Sequence, residues 1–170
     1  MKFAALPKTA VPKFKELMQE AFQQGYESVF GPCSATILPE RDMDAALAAA
    51  NGKAHVALDE AGAILAGAVV SVDVATGHGH LEFLFVTCGM QNKGIGHELW
   101  KYIERTYPEI TVWKTVTPYF DKRNIHFYVN KLHFHIVEFI YQRNEGYNGK
   151  DEFMGEGGEG MFVFEKRMNR

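Results

Sequence analysis

The residues best suited to chemistry begin at Gln91-Asn92-Lys93-Gly94-Ile95-Gly96, where an apolar run gives way to a helical pattern. A glycine turn that opens a helix is an anion site, because no Cβ blocks the approach and the first-turn N–H groups lack partners. Lys93 adds positive charge to it. Upstream, His80 and Glu82 lie two apart in the apolar run. They should therefore share one strand face, the same face as Leu84 and Val86. An imidazole and a carboxylate so placed could take up a proton, directly or through water. Downstream, Phe127-Tyr128 brings a phenol onto a helix. His126, His133 and His135 cluster in sequence, but their spacing matches no helix-borne zinc pair and no carboxylate partner accompanies them, so no metal is expected.

The anion turn excludes two familiar classes. The triphosphate loop needs G-x-x-x-x-G-K-S/T, which is absent. The dinucleotide fingerprint needs G-x-G-x-x-G, and Leu99 stands where its third glycine belongs.

The elements that must position these groups follow from periodicity and turn residues. Leu81 to Val86 reads as a buried strand, and Ile95, Leu99, Trp100 and Ile103 recur at helical spacing over 94–106. Before them, Lys2 to Leu6 reads as a strand. Thr9 is placed to cap a helix carrying Val11, Phe14, Leu17, Met18, Ala21 and Phe22, with Gly25 as its stop. Residues 26–38 read as a loop and Arg41 to Ala50 as a second helix. Lys53 to Leu58 and Ala63 to Val74 read as strands, and Thr76-Gly77-His78-Gly79 as a turn. After Pro108 come a strand over Ile110–Val116, a helix over Asp121–Leu132, a strand over Phe134–Tyr141, a glycine-rich linker and a last strand over Met161–Phe164. With 170 residues and no internal repeat, one domain spanning 1–170 is expected.

Two of these stretches together resemble the GNAT superfamily of N-acetyltransferases. Q-x-x-G-x-G after a strand ending in Phe85-Val86 is similar to the family's acetyl-CoA signature, with Cys88 in place of the usual proline. Phe127-Tyr128 followed by Lys131-Leu132-His133-Phe134 is similar to the family's aromatic–Tyr pair and K-x-G-F turn, with His133 in place of the glycine. Asp121 stands where an asparagine is common, with Asn124 close by. The resemblance implies an α/β fold with a mixed, mostly antiparallel central sheet of six to seven strands flanked by about four helices. It implies acetyl transfer from acetyl-CoA to a primary amine by direct attack in a ternary complex.

The site residues come with it. The pyrophosphate would be held by the turn and first helical residues, Gln91, Asn92, Lys93, Gly94, Ile95, Gly96 and His97, with Asn124 and Tyr128 as further contacts. The pantetheine arm would pair with the backbone of Phe85 and Val86, and the Val86 N–H would meet the charge that develops on the carbonyl oxygen. Tyr128 would protonate the leaving sulfur. For the base, the family's carboxylate position falls at His80 with Glu82 next along, and either remains open.

The net charge of −3 gives no electrostatic case for nucleic acid or an anionic membrane. Cys33 and Cys88 form no pair motif, no signal peptide is recognisable and no apolar run spans a membrane, so a cytoplasmic location is expected. The acceptor, a small molecule or a protein, would enter between residues 26–38 and 143–160. The second stretch carries Glu145, Asp151, Glu152, Glu156 and Glu159, which suggests a cationic amine. A homodimer stands as an alternative to a monomer, since edge-strand dimers are common in the family. The competing function is a non-catalytic acyl-CoA-binding regulatory module, and a third is an unrelated nucleotide-binding domain.

Overall fold

The computed structural model describes residues 1–141 and 160–169. Its elements, in chain order, are β1 (Lys2–Ala5), α1 (Val11–Phe30), α2 (Glu40–Ala48), β2 (Gly52–Leu58), β3 (Ile64–Asp73) and β4 (His78–Val86). They continue with α3 (Ile95–Thr106), β5 (Val112–Pro118), α4 (Lys122–His126), β6 (His135–Tyr141) and β7 (Gly160–Arg167). The seven strands form one sheet in the order β1-β2-β3-β4-β5-β7-β6. Every neighbouring pair is antiparallel except β4 and β5. The expected mixed, mostly antiparallel α/β sheet with about four helices is thus what the chain forms.

Helices cover both faces, so the central strands are apolar on both sides. On one face, α1, α2 and the connection between them pack Phe14, Met18, Leu38 and Met43 against Val56, Val69 and Phe85. On the other, α3 packs Leu99, Trp100 and Ile103 against Ala68, Val70, Leu81 and Trp113. The Trp100 and Trp113 rings meet edge to face at 5.1 Å, a geometry that adds about 1 kcal/mol to simple burial. β6 lies at the far edge with every residue exposed.

Several sequence expectations shift. α1 runs through Gly25 to Phe30, so 26–30 is helix rather than loop. It stops at Gly31, whose φ of 83° is open to glycine without strain. Thr9 does not cap α1; it lies in a short 3-10 turn, Lys8–Ala10, and no side chain caps the helix. His78 and Gly79 belong to β4 rather than to a turn, β5 begins at Val112 rather than Ile110, and β6 begins at His135 rather than Phe134. The glycine-rich linker lies outside the described residues.

The consequential change is in β4. Val69 of β3 pairs with Phe83, yet Val70 pairs with Leu81, so Glu82 is an extra residue in the strand. Such a bulge reverses the alternation on either side of it. His80 and Glu82 therefore share a face with each other but not with Leu84 and Val86, contrary to the expectation from spacing. They lie on the side of Phe83 and Phe85, beneath α1, whereas Leu84 and Val86 pack toward α3.

Candidate active site

The two parallel strands define the site. β4 and β5 pair only over His78–His80 and Val112–Lys114. Beyond that point the strands part, and the Thr115 hydroxyl donates to the Leu81 carbonyl at 2.9 Å. The separation leaves a wedge in the sheet, with Glu82 to Val86 along one side and Thr115 to Pro118 along the other. Among the described residues, their facing backbone groups have no strand partner there.

The glycine turn sits at the open end of the β4 side. Gly94, at φ 76°, is the N-cap of α3, and no side chain caps that helix. The N–H groups of Ile95, Gly96 and His97 have no carbonyl one turn earlier to pair with. Gly96 allows the first turn to lie close over the wedge. A Cβ there would stand 3.3 Å from Val86 Cγ2 and from the Phe127 ring. Gln91 braces the turn: its Oε1 accepts from the Gly89 N–H at 2.9 Å and its Nε2 reaches Gln24 of α1 at 3.3 Å. Asn92 takes a left-handed φ of 64°, which asparagine tolerates. Lys93 is exposed beside Met90, and His97 faces Glu98 at 3.7 Å. An uncapped helix start with a side-chain-free approach fits a pyrophosphate.

Tyr128 reaches the wedge from the same face. Asp121 caps α4 by accepting from the Asn124 N–H at 2.9 Å and from its side-chain amide at 2.8 Å. That bond uses one of the two N–H groups of the Asn124 amide expected at the cofactor. The helix then widens into a π turn over Phe127–Lys131, where the Leu132 N–H donates to the Phe127 carbonyl. His133 follows at φ 62°, the left-handed conformation that explains why a glycine suits this position. Tyr128 is held between Phe134 and Phe164. Burial pushes its phenol well above the ordinary value, the Asp121 charge adds to that, and the Thr115 side chain partly offsets it. At neutral pH it is a protonated donor beside the point where the strands separate.

On the opposite face, Glu82 Oε1 accepts from the Ser71 hydroxyl at 2.8 Å, and Oε2 lies 3.5 Å from His80 Nδ1. The imidazole holds the Glu82 carboxyl below the usual carboxylate range, against the effect of partial burial, and Ser71 assists. Ser71 is the partner that sequence reading missed, because only strand pairing brings it to Glu82. His80 opens onto a cleft lined by Asn51, Ser71, Asp73, His78, Gly79 and Lys114. The wedge thus has an uncapped helix start and a phenol on one face and a carboxylate–imidazole pair on the other. His126 bonds to Asn130, and among the described residues no group of three His, Cys, Asp or Glu converges as a metal site would. The acidic stretch expected at the acceptor lies outside the described residues.

A profile of the acetyltransferase (GNAT) family matches residues 14–134. Among curated proteins, YrkN of Bacillus subtilis (strain 168), itself uncharacterised, is 39% identical over 135 residues. That alignment covers 79% of this chain and 72% of YrkN. Among solved structures, an IAA acetyltransferase from Bacillus cereus ATCC 14579 superposes with a TM-score of 0.68 at 17% identity, over 98% of this chain and 99% of that one. The ribosomal-protein-S18-alanine N-acetyltransferase from Escherichia coli gives 0.71 at 13% identity, over 99% and 94%. A Bacillus subtilis acetyltransferase in complex with CoA gives 0.68 at 14% identity, over 99% of both chains.

Proposed function

This chain belongs to the acetyltransferase (GNAT) family, and from that premise we propose that it transfers an acetyl group from acetyl-CoA to a primary amine. The observation that carries the reading is the wedge between β4 and β5, with an uncapped helix start and a buried phenol on one face and an ionised carboxylate on the other. Bound acetyl-CoA would supply an acyl group activated as a thioester. The amides from Gln91 to His97 and the Lys93 charge hold its pyrophosphate. The wedge side of β4 around Phe85 and Val86, which has no β5 partner there, would lay out the pantetheine arm.

The roles divide across the sheet. Glu82, ionised at neutral pH, accepts the proton that the amine loses, and His80 beside it can carry that proton on to the open cleft. The Val86 N–H donates to the carbonyl oxygen as negative charge builds there. Tyr128 gives its proton to the departing sulfur and regains one from solvent. Because Glu82 and the helix start lie on opposite faces, amine and cofactor approach from opposite sides and meet in the wedge.

Calorimetric titration tests the premise, with acetyl-CoA and CoA set against ATP and NAD. Tight binding of the two CoA species alone, followed by thiol release in the presence of a primary amine, is the expected result. Binding without turnover on any amine would replace the enzyme with an acyl-CoA-binding module. Binding of neither CoA species by folded protein would overturn the reading.

A further inference from the structure

Glu82 needs an anchor that its own strand does not give it. As the extra residue of the β4 bulge it stands outside the regular pairing with β3, so the ladder does not set the direction of its side chain. The carboxylate ends a series of rotatable bonds, and 34% of the side chain is open to solvent, so packing does not fix it either. A base that serves one bound amine must hold its oxygens in place, since a misplacement of about 1 Å can cost a factor of ~100.

Among the described residues two side chains reach that carboxylate, and they differ in kind. The Ser71 hydroxyl donates to Oε1 at 2.8 Å, an ordinary hydrogen-bond length. His80 Nδ1 stands 3.5 Å from Oε2 and, among the described residues, is buried without a hydrogen-bond partner. The imidazole therefore acts on the charge of Glu82, whereas the hydroxyl fixes where one oxygen lies. Ser71 pairs directly with His80 across β3 and β4. Cross-strand partners share a face, so Ser71 stands on the face to which Glu82 turns. It is also the one side chain of β3 able to donate a hydrogen bond at neutral pH. The other polar groups of the cleft are engaged elsewhere: Lys114 with Glu165 at 3.6 Å, Asp73 with the Thr76 N–H at 3.3 Å and His78 with the Thr76 carbonyl at 3.0 Å.

We propose that Ser71 is a positioning residue for acetyl transfer, holding the Glu82 carboxylate in the orientation that receives the amine's proton. The hydroxyl keeps its own proton throughout. The amine proton goes to Glu82 as the nitrogen bonds the acyl carbon, and the electron pair of the broken C–S bond leaves with the sulfur. The proposal rests on the acetyltransferase reading and adds a residue to that site.

The test follows thiol release on the best of three amines, phenethylamine, spermidine and L-alaninamide, with acetyl-CoA affinity measured by calorimetry alongside. Wild type is compared with Ser71→Ala, Ser71→Thr, Glu82→Gln and the double variant Ser71→Ala/Glu82→Gln. Ser71→Ala should lower kcat by on the order of 10-fold, the size of one lost hydrogen bond, with the amine KM and acetyl-CoA affinity unchanged. Ser71→Thr keeps the hydroxyl and suits a strand, and should recover most of that loss. In Glu82→Gln there is no base left to hold, so adding Ser71→Ala should cost nothing more. A general weakening of the strand would instead lower kcat in both backgrounds. A kcat for Ser71→Ala equal to that of wild type overturns the proposal, and so does the full loss repeated in Glu82→Gln. Wild-type turnover then leaves the acetyltransferase reading standing. No turnover by the wild type on any of the three amines removes both.

Discussion

The Thr115 hydroxyl donates to the Leu81 carbonyl at 2.9 Å where β4 and β5 cease to pair. It ends the parallel ladder by supplying from a side chain the bond that the next backbone N–H no longer makes. Thr115 is 2% exposed, so water has little access to the carbonyl in its place. Thr115→Val keeps the shape and removes the donor, leaving the Leu81 carbonyl unpaired at a cost of about 1–3 kcal/mol. Urea unfolding should show that loss, and Thr115→Ser should largely restore stability. Equal midpoints for the valine and serine variants would refute the role of the bond.

Tyr128 faces the same junction, and its raised pKa keeps it protonated through the neutral range. Tyr128→Phe is expected to lower kcat by about 100-fold, the scale of general-acid catalysis, with little change in acetyl-CoA affinity. The wild-type profile should show no alkaline limb from this phenol near neutrality. An unchanged kcat in the variant would remove Tyr128 from the chemistry.

Glu82 carries the opposite pH signature. Its carboxyl is held below its ordinary value of 4.5, chiefly by His80. As the base it must be ionised, so the acid limb of kcat lies below that value, and activity is retained as pH falls to it. His80→Gln removes the main cause and should move the limb to higher pH. Glu82→Gln should cost about 100-fold in kcat. A limb that stays in place in His80→Gln would show that the imidazole does not tune the carboxylate.

What the sequence revealed and what it hid divide along physical lines. The strand, glycine turn and helix around residue 90 were legible because periodicity and side-chain absence are written in single residues. The face of Glu82 was not. Alternation along β4 looks unbroken, and the bulge exists only in its pairing with β3. Gly25 misled in the other direction: a glycine inside a helix costs some stability, whereas Gly31 stops it by turning left-handed. The departure at His133 proved mild, since histidine is among the residues that tolerate that conformation. Ser71 became visible only when β3 was laid beside β4.

Gly94 gives a test of the anion turn separate from catalysis. At φ 76° with no heavy atom near its missing Cβ, it is constrained by backbone conformation alone. Gly94→Ala should strain the turn by about 1–2 kcal/mol and weaken acetyl-CoA binding correspondingly. Gly94→Asn, which tolerates this region, should fall between alanine and wild type. Calorimetric affinities in any other order would argue that the turn does not hold the cofactor.

His55 supplies a pH dependence of stability that has nothing to do with the site. It is 4% exposed beneath Tyr102 and Tyr107, with Nε2 2.7 Å from the Tyr107 hydroxyl. Burial lowers its pKa from 6.5 to about 4. Between those values the unfolded chain binds a proton that the folded chain does not, so stability rises with pH across the window and falls on acidification. The stabilisation is fully present above 6.5 and exhausted near 4, below which both states are protonated. The shift corresponds to about 3 kcal/mol. Urea midpoints measured at several pH values should fall steeply over this window in the wild type and less so in His55→Gln, which cannot titrate. Parallel slopes in the two proteins would assign the acid sensitivity to other groups.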